Sequence, residues 1–257
     1  MSKRIGIFVI AYNAESTLSA VLERIPADIV EKVEEIFVID DCSTDRTYEV
    51  GQGYTGGAAA AQKLTVHRNP VNLMYGGNQK RGYEYAIERG LDIVVLLHGD
   101  GQYAPEVMDR MLEPLESGRA EMVMGSRMMV PGAALRGNMP LYKYVGNQVL
   151  SFTHNWLLGS RFTEFHSGYR AYSTHALRTL DFSKMTDSWH FDTQIILNFL
   201  RRGYRILEVP IPTYYGDEIC HVNGIPYAFE CIRATAAHAW HARIRRLALR
   251  LAQRPTE

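Results

Sequence analysis

Cysteine is scarce in this chain of 257 residues: Cys42, Cys220 and Cys231 are odd in number and lack paired metal-ligand spacing. Neither a disulfide framework nor a zinc site is indicated, and a reducing, cytoplasmic setting is the expectation. Charge of one sign is lacking too. The 28 Lys and Arg balance 28 Asp and Glu, so bulk charge gives no reason to expect nucleic acid, and any anionic partner must be recognised locally. No apolar run approaches the roughly 18 residues of a membrane span. The run at 5–10 is too short for a secretory signal and gives way to Tyr12 and Asn13. A soluble protein, or one attached to a membrane surface, is expected. Missing as well is Gly-x-Gly-x-x-Gly after the first apolar run, which argues against a dehydrogenase. Nor does Ala11-Tyr12-Asn13-Ala14-Glu15 supply the glycine-rich loop with arginine that a sugar nucleotidyltransferase would carry there.

What is present is an apolar content of 46%, enough for a sizeable core in one large domain or two small ones. Residues 5–10, 35–39, 64–67 and 92–97 are β-rich apolar runs, while 14–24, 75–89 and 106–116 carry helical periodicity. A fifth strand is expected at 120–127, helices at 142–158 and 192–202, and a strand at 206–210 that Pro210 and Pro212 confine to an edge. Residues 51–61 read as a solvated loop with a short helix and 130–137 as a loop. Strand followed by helix, repeated, predicts an α/β fold with a mostly parallel central sheet flanked by helices. Ligands of such sheets bind outside the carboxyl ends of the strands. Those ends carry Tyr12-Asn13, Asp40-Asp41, Arg68-Asn69 and His98-Gly99-Asp100. Along an extended chain His98, Asp100 and Gln102 share a face, so all three are expected to converge on one ligand; an ordinary strand-to-loop turn is the plain alternative.

Several stretches resemble one family. Ala11-Tyr12-Asn13, then Val38-Ile39-Asp40-Asp41-Cys42-Ser43-Thr44-Asp45-Arg46-Thr47, then Asn72-Leu73-Met74-Tyr75-Gly76-Gly77-Asn78 resemble the nucleotide-binding half of family 2 glycosyltransferases with the GT-A fold. His98-Gly99-Asp100-Gly101-Gln102-Tyr103-Ala104-Pro105 stands in the place of their metal-binding Asp-x-Asp. Gly125-Ser126-Arg127 and Ser167-Gly168-Tyr169-Arg170-Ala171-Tyr172 resemble motifs of the branch that includes dolichol-phosphate mannose synthase. The resemblance implies a catalytic domain over 1–215, with a nucleotide-binding half at 1–127 and an acceptor half at 128–215, followed by a helical extension at 216–257. It further implies inverting transfer of a sugar from a UDP- or GDP-sugar, with Mn2+ or Mg2+, in cell-surface glycan or glycolipid synthesis.

The resemblance also distributes roles. Tyr12 and Asn13 would hold the base, Asp40 or Asp41 would accept hydrogen bonds from base or ribose, and Asn72, Gly76 and Gly77 would form the turn and helix start beside the nucleotide. Asp100 would ligate the metal, helped by His98 and Gln102. Arg127 would stabilise the leaving diphosphate, and Arg170 would bind that diphosphate or an acceptor phosphate. Bland alternatives are a helix cap for Asp41, core packing for Tyr12, a packed strand-end imidazole for His98 and a surface ion pair for Arg127. A hydroxyl acceptor requires a base, for which Glu164 and His166 are the candidates, whereas a polyprenyl phosphate is already anionic. His98 replaces a usual carboxylate, Gln194 replaces a usual glutamate, and residues 213–218 replace a basic stretch, so a non-catalytic nucleotide-binding protein is the remaining alternative.

The last segment predicts a helix from residue 228 onward. Between Cys231 and Arg254 lie six arginines and no acidic residue, with Phe229, Ile232, Ala236, Trp240, Leu247 and Leu251 roughly on one side. That pattern suits an anionic membrane surface, with Tyr142, Tyr144, Phe152 and Trp156 of the 142–158 helix at the same interface, as for a protein peripheral to the inner face of the membrane. Packing against its own domain, or against a partner subunit in a homodimer, is the alternative.

Overall fold

The computed structural model describes residues 2–214 and 224–252, and the side chains of residues 58, 242 and 245–252 lie outside that description. Seven strands form one sheet: β1 (Ile5–Ala11), β2 (Glu35–Asp40), β3 (Leu64–Arg68), β4 (Ile93–His98), β5 (Met122–Ser126), β6 (Arg170–Ser173) and β7 (Ile206–Pro210). Their order is β3-β2-β1-β4-β6-β5-β7, parallel throughout except for β6, which runs antiparallel to both β4 and β5. Every residue of β1, β2 and β5 is buried, as continuous apolar strands covered on both faces should be.

The helices are α1 (Leu18–Glu23), α2 (Ala27–Lys32), α3 (Thr47–Gln52), α4 (Ala58–Gln62), α5 (Met74–Glu88) and α6 (Met108–Glu116), then α7 (Ala133–Arg136), α8 (Leu141–Leu158), α9 (Thr174–Leu177), α10 (Phe191–Arg202) and α11 (Gly224–Ala252). Leu18, Ile29 and Met111 place α1, α2 and α6 on one face of the sheet, and Tyr83, Leu177 and Ile195 place α5, α9 and α10 on the other. Helix α5 lies so close to β1 that a Cβ on Gly82 would stand 2.1 Å from the Phe8 ring.

Four differences from the sequence reading have physical causes. The helix expected at 14–24 begins only at Leu18, because Asn13 adopts φ 50 and the backbone N–H of Ala14 is taken by the Thr47 hydroxyl at 2.7 Å. The short helix expected within 51–61 is α4, but the segment read as a loop at 130–137 contains α7. Strand β6 was not foreseen: four residues with an arginine among them carry no strand signature, and long-range pairing alone defines them. Finally, α11 packs on α8 and α10, with Cys231, Thr235 and Ala239 inward, while Phe229 and Trp240 of the expected apolar side are exposed. Residues 215–218 and Arg254, like the side chains of Arg245, Arg246, Leu247, Arg250 and Leu251, lie outside the described residues.

Candidate active site

The carboxyl ends of β1 and β2 make one wall of a crevice. Asp40 is fully buried, accepts the Ser43 N–H at 3.3 Å and the Ser43 hydroxyl, and pairs with Arg68 at 3.4 Å. Asp41 accepts the Leu73 N–H at 2.9 Å and the Asn69 amide at 2.8 Å. Burial, only partly opposed by those donors, pushes its carboxyl above the usual range. Asp41 does not cap the helix that follows it, where Asp45 ties the start of α3 through the Thr47 N–H at 3.0 Å; it reaches the start of α5 instead. Tyr12 is 45% exposed, which removes the core-packing alternative. Asn13 Oδ1 accepts the Thr44 N–H at 3.0 Å and its own N–H donates to Ser43 Oγ at 2.8 Å, so the two loops brace each other.

Asn72, Gly76 and Gly77 stand at the turn into α5 and in its first turn, as expected. Asn72 bridges the Asp41 carbonyl at 3.1 Å and the Met74 N–H at 2.9 Å, but Gly76 and Gly77 donate their N–H groups to the Asp187 carbonyl at 2.7 and 3.3 Å. A Cβ on Gly76 would come within 2.8 Å of the Thr186 carbonyl oxygen. These glycines admit the segment leading into α10.

At the end of β4 the extended backbone stops at His98, and Gly101 takes φ +79. Asp100 Oδ1 accepts the Gln102 N–H at 3.0 Å, the signature of an Asx turn, so the expected convergence of His98, Asp100 and Gln102 by strand alternation does not occur. The Asp100 carboxylate is exposed. His98 Nε2 lies 3.3 Å from the Tyr75 hydroxyl, which donates to Asp192 Oδ2 at 3.0 Å. Burial lowers the His98 imidazole below its ordinary value, against the pull of Asp100 and Asp192. Among the described residues no three His, Cys, Asp or Glu side chains are placed to hold a metal by themselves. One exposed carboxylate at the crevice nevertheless fits a hard cation held mainly by the phosphates of a bound nucleotide.

Asp192 is the hub behind this wall. Besides Tyr75 it accepts the Gln79 amide at 3.0 Å and pairs with Arg170 at 3.5 Å. Arg170, expected to bind an anion, is fully buried and spends its donors on the carbonyls of Ser167 (2.9 Å), Asp192 (2.8 Å) and Phe165 (3.0 Å). Burial opposes its charge, but the Asp192 carboxylate more than offsets that and raises its pKa. It is an internal strut that shapes residues 165–167.

On the acceptor side Arg127 and Glu164 form a buried pair. The Arg127 N–H donates to Glu164 Oε2 at 2.7 Å and its Nε to Oε1 at 3.0 Å, with a further guanidinium contact, and Asn147 of α8 adds a donor to Oε1 at 2.7 Å. The ion pair named as the bland alternative for Arg127 exists, but it is internal, with a partner 37 positions away. Glu208 of β7 holds the same loop, accepting the N–H groups of Thr163 at 2.8 Å and Glu164 at 3.0 Å; burial raises its pKa. His166 Nδ1 meets the Tyr227 hydroxyl of α11 at 2.9 Å, while its buried Nε2 has no partner. Burial, followed by the neighbouring His154 and two arginines, holds that imidazole well below its ordinary range.

Sequence reasoning missed Tyr75, Gln79, Asn147 and Glu208 as parts of the site. An acid between Leu207 and Val209 in an apolar strand was the available signal for Glu208; nothing local marks the others.

The family model for Glycosyl transferase family 2 matches residues 6–180. The chain is 30% identical over 224 residues to UDP-N-acetylglucosamine–dolichyl-phosphate N-acetylglucosaminyltransferase of Methanococcus voltae, covering 84% of this chain and 87% of that protein. It is likewise 30% identical over 211 residues to the undecaprenyl-phosphate mannosyltransferase of Micrococcus luteus, covering 81% and 82%. Among solved structures, glucosyl-3-phosphoglycerate synthase from Mycobacterium tuberculosis with Mn2+, UDP and phosphoglyceric acid superposes with a TM-score of 0.66 at 17% identity, over 92% of this chain and 78% of that one. The sheet is that of the GT-A fold, and with the match running from β1 past β6 the chain belongs to glycosyl transferase family 2.

Proposed function

We propose that this glycosyltransferase moves a sugar from a UDP- or GDP-sugar to a polyprenyl phosphate with inversion, in the synthesis of cell-surface glycans or glycolipids. The observation that carries the acceptor is the condition of Glu164. The carboxylate is buried, both of its oxygens accept hydrogen bonds from Arg127 and one also from Asn147, so an acceptor hydroxyl does not reach it as it would have to reach a general base. A phosphate monoester needs no base, since its oxygen already carries the charge with which it attacks the anomeric carbon as the bond to the diphosphate breaks. The two relatives named for dolichyl and undecaprenyl phosphates support the same acceptor class.

In this reading Tyr12, Asn13, Asp40 and Asp41 receive the nucleoside. Asp100 would hold a Mn2+ or Mg2+ ion together with the diphosphate, and such an ion would supply charge neutralisation of the leaving group. Arg127 paired with Glu164, and Arg170 paired with Asp192, fix from behind the loop that carries Glu164 and His166. The absence of a partner at His166 Nε2 favours a second reading, in which that nitrogen takes the proton of a sugar hydroxyl.

Calorimetric titration with UDP and GDP, with and without Mn2+, tests the donor side. Metal-dependent binding of one nucleotide, lost in Asp100→Asn, is expected; binding indifferent to both metal and mutation removes Asp100 from the diphosphate. Transfer to undecaprenyl phosphate that survives His166→Asn supports the anionic acceptor, and transfer only to a sugar hydroxyl, abolished by His166→Asn, supports the second reading. Nucleotide binding without turnover on any acceptor would leave a binding protein.

A further inference from the structure

Helix α11 reaches the acceptor side through a chain of polar groups. The Thr193 hydroxyl of α10 donates to Cys231 Sγ at 3.2 Å, Cys231 bonds the Tyr227 hydroxyl, and that hydroxyl meets His166 Nδ1 at 2.9 Å. Thr193 and Cys231 are buried, and the Tyr227 ring stands edge-on to the imidazole at 5.5 Å. His166 lies two residues before Gly168, where a Cβ would stand 2.6 Å from Nε2 of His98 at the end of β4. The His166 Nε2 is buried without a partner in the protein. Burial, His154 and two arginines keep the ring neutral, so one nitrogen carries the proton and the chain of bonds decides which.

The far end of the chain sets its direction. Cys231 Sγ already accepts from Thr193, and sulfur is a weak acceptor, so its own S–H is best placed on the Tyr227 oxygen. The Tyr227 O–H then goes to Nδ1, a better acceptor than sulfur, and an accepting Nδ1 leaves the proton on Nε2. His154 is the opposite case. Thr235 donates its hydroxyl to the Cys231 carbonyl at 2.9 Å, so the 2.8 Å contact with His154 Nδ1 requires a proton on that nitrogen. Two imidazoles 5.3 Å apart thus carry opposite tautomers, both set by α11.

We propose that Tyr227 is a positioning residue that holds His166 as the Nε2–H tautomer, and that this N–H donates to the phosphate of the acceptor. Resting on the reading of an anionic acceptor, the contact provides a donor where Arg127 and Arg170 are committed to Glu164 and Asp192. A buried N–H left without an acceptor is costly, and a phosphate oxygen satisfies it with a charge-assisted bond. The proton stays on nitrogen throughout, because the attacking oxygen has none to give up. A bare Nε2 would instead serve a hydroxyl acceptor, so the tautomer separates the two chemistries.

The test combines nitrogen-15 spectra of the full chain, labelled at histidine, with acceptor kinetics. The two signals are identified by their loss in His166→Gln and His154→Gln. Wild type is expected to show a protonated Nε2 at His166 and a protonated Nδ1 at His154. Tyr227→Phe, its fold verified by UDP or GDP binding, is expected to mix the His166 tautomers and to raise KM for undecaprenyl phosphate about tenfold with kcat little changed. The longer amide of His166→Gln brings an N–H near the place of Nε2 and cannot act as a base, whereas that of His166→Asn ends near Nδ1. His166→Gln is therefore expected to transfer with a KM about tenfold below that of His166→Asn. A bare Nε2 in wild type, an unchanged KM in Tyr227→Phe or a dead His166→Gln overturns the assignment, and the first and last of these decide even where Tyr227→Phe does not fold. Transfer only to a sugar hydroxyl with Nε2 protonated refutes the acceptor reading and the phosphate contact with it. A bare Nε2 in an enzyme that does glycosylate undecaprenyl phosphate refutes this assignment alone.

Discussion

Replacing His154 by glutamine isolates the acid sensitivity of the contact between α8 and α11. The His154 ring is fully buried, with Nδ1 tied to the Thr235 hydroxyl at 2.8 Å, Nε2 without a partner and the His166 ring 5.3 Å away. Burial lowers its pKa from 6.5 to about 4. The unfolded chain therefore takes up a proton here below pH 6.5, while the folded chain resists until about 4. Stability that is fully present above the unfolded value is lost as the pH falls through this window. At pH 5 the loss is about 2 kcal/mol, and it approaches about 3 kcal/mol once both states are protonated. Glutamine has a donor and an acceptor for Thr235 but does not titrate. Urea unfolding followed by tryptophan fluorescence at pH 7 and pH 5 should show wild type losing about 2 kcal/mol more than His154→Gln over that interval. His166, also held below its ordinary range by burial, is present in both proteins and supplies the common background. Equal losses would refute the reasoning, because the buried imidazole would then contribute nothing to acid lability.

Two further substitutions probe the site and its scaffold. Glu164→Gln takes the counter-charge from Arg127 at a position with no exposure of the carboxylate, and breaking such a buried pair on one side costs about 3–5 kcal/mol; a urea midpoint equal to that of wild type would show the pair to be dispensable. Gly82→Ala drives a methyl into the fully buried Phe8 ring, which already stacks on Phe37 at 5.2 Å, and should cost about 1–3 kcal/mol, or about 2–4 °C of melting temperature for each. A variant that melts at or above wild type would mean that the helix can retreat from the strand.

The sequence announced the parallel part of the sheet because β1, β2 and β4 are apolar on both faces, and continuous runs such as Ile93-Val94-Val95-Leu96-Leu97 need no partner to be read. Strand β6 was hidden by its brevity and by Arg170, whose charge is met by an aspartate 22 positions away. The same limit governs the site. Arg127 and Glu164 were both singled out, yet nothing in either neighbourhood says that they bond to each other. His98 and Gln102 were assigned a shared face by extrapolating the strand, and the left-handed Gly101 ended that extrapolation. The aromatic content of α8 was visible as composition; which side faces outward depends on what Glu164 and Phe162 require of the other side.

The antiparallel strand has a consequence for biosynthesis. β4 gains its second neighbour only when residues 170–173 arrive, about 75 positions after β4 has left the ribosome. At about 5–20 residues per second, a nascent chain carries that apolar edge unpaired for several seconds. During this interval β5 has already emerged, and a direct β4–β5 pairing would have to be undone to admit β6 between them. The strand that closes the sheet is thus also the step at which translation speed and chaperone capture compete with misfolding.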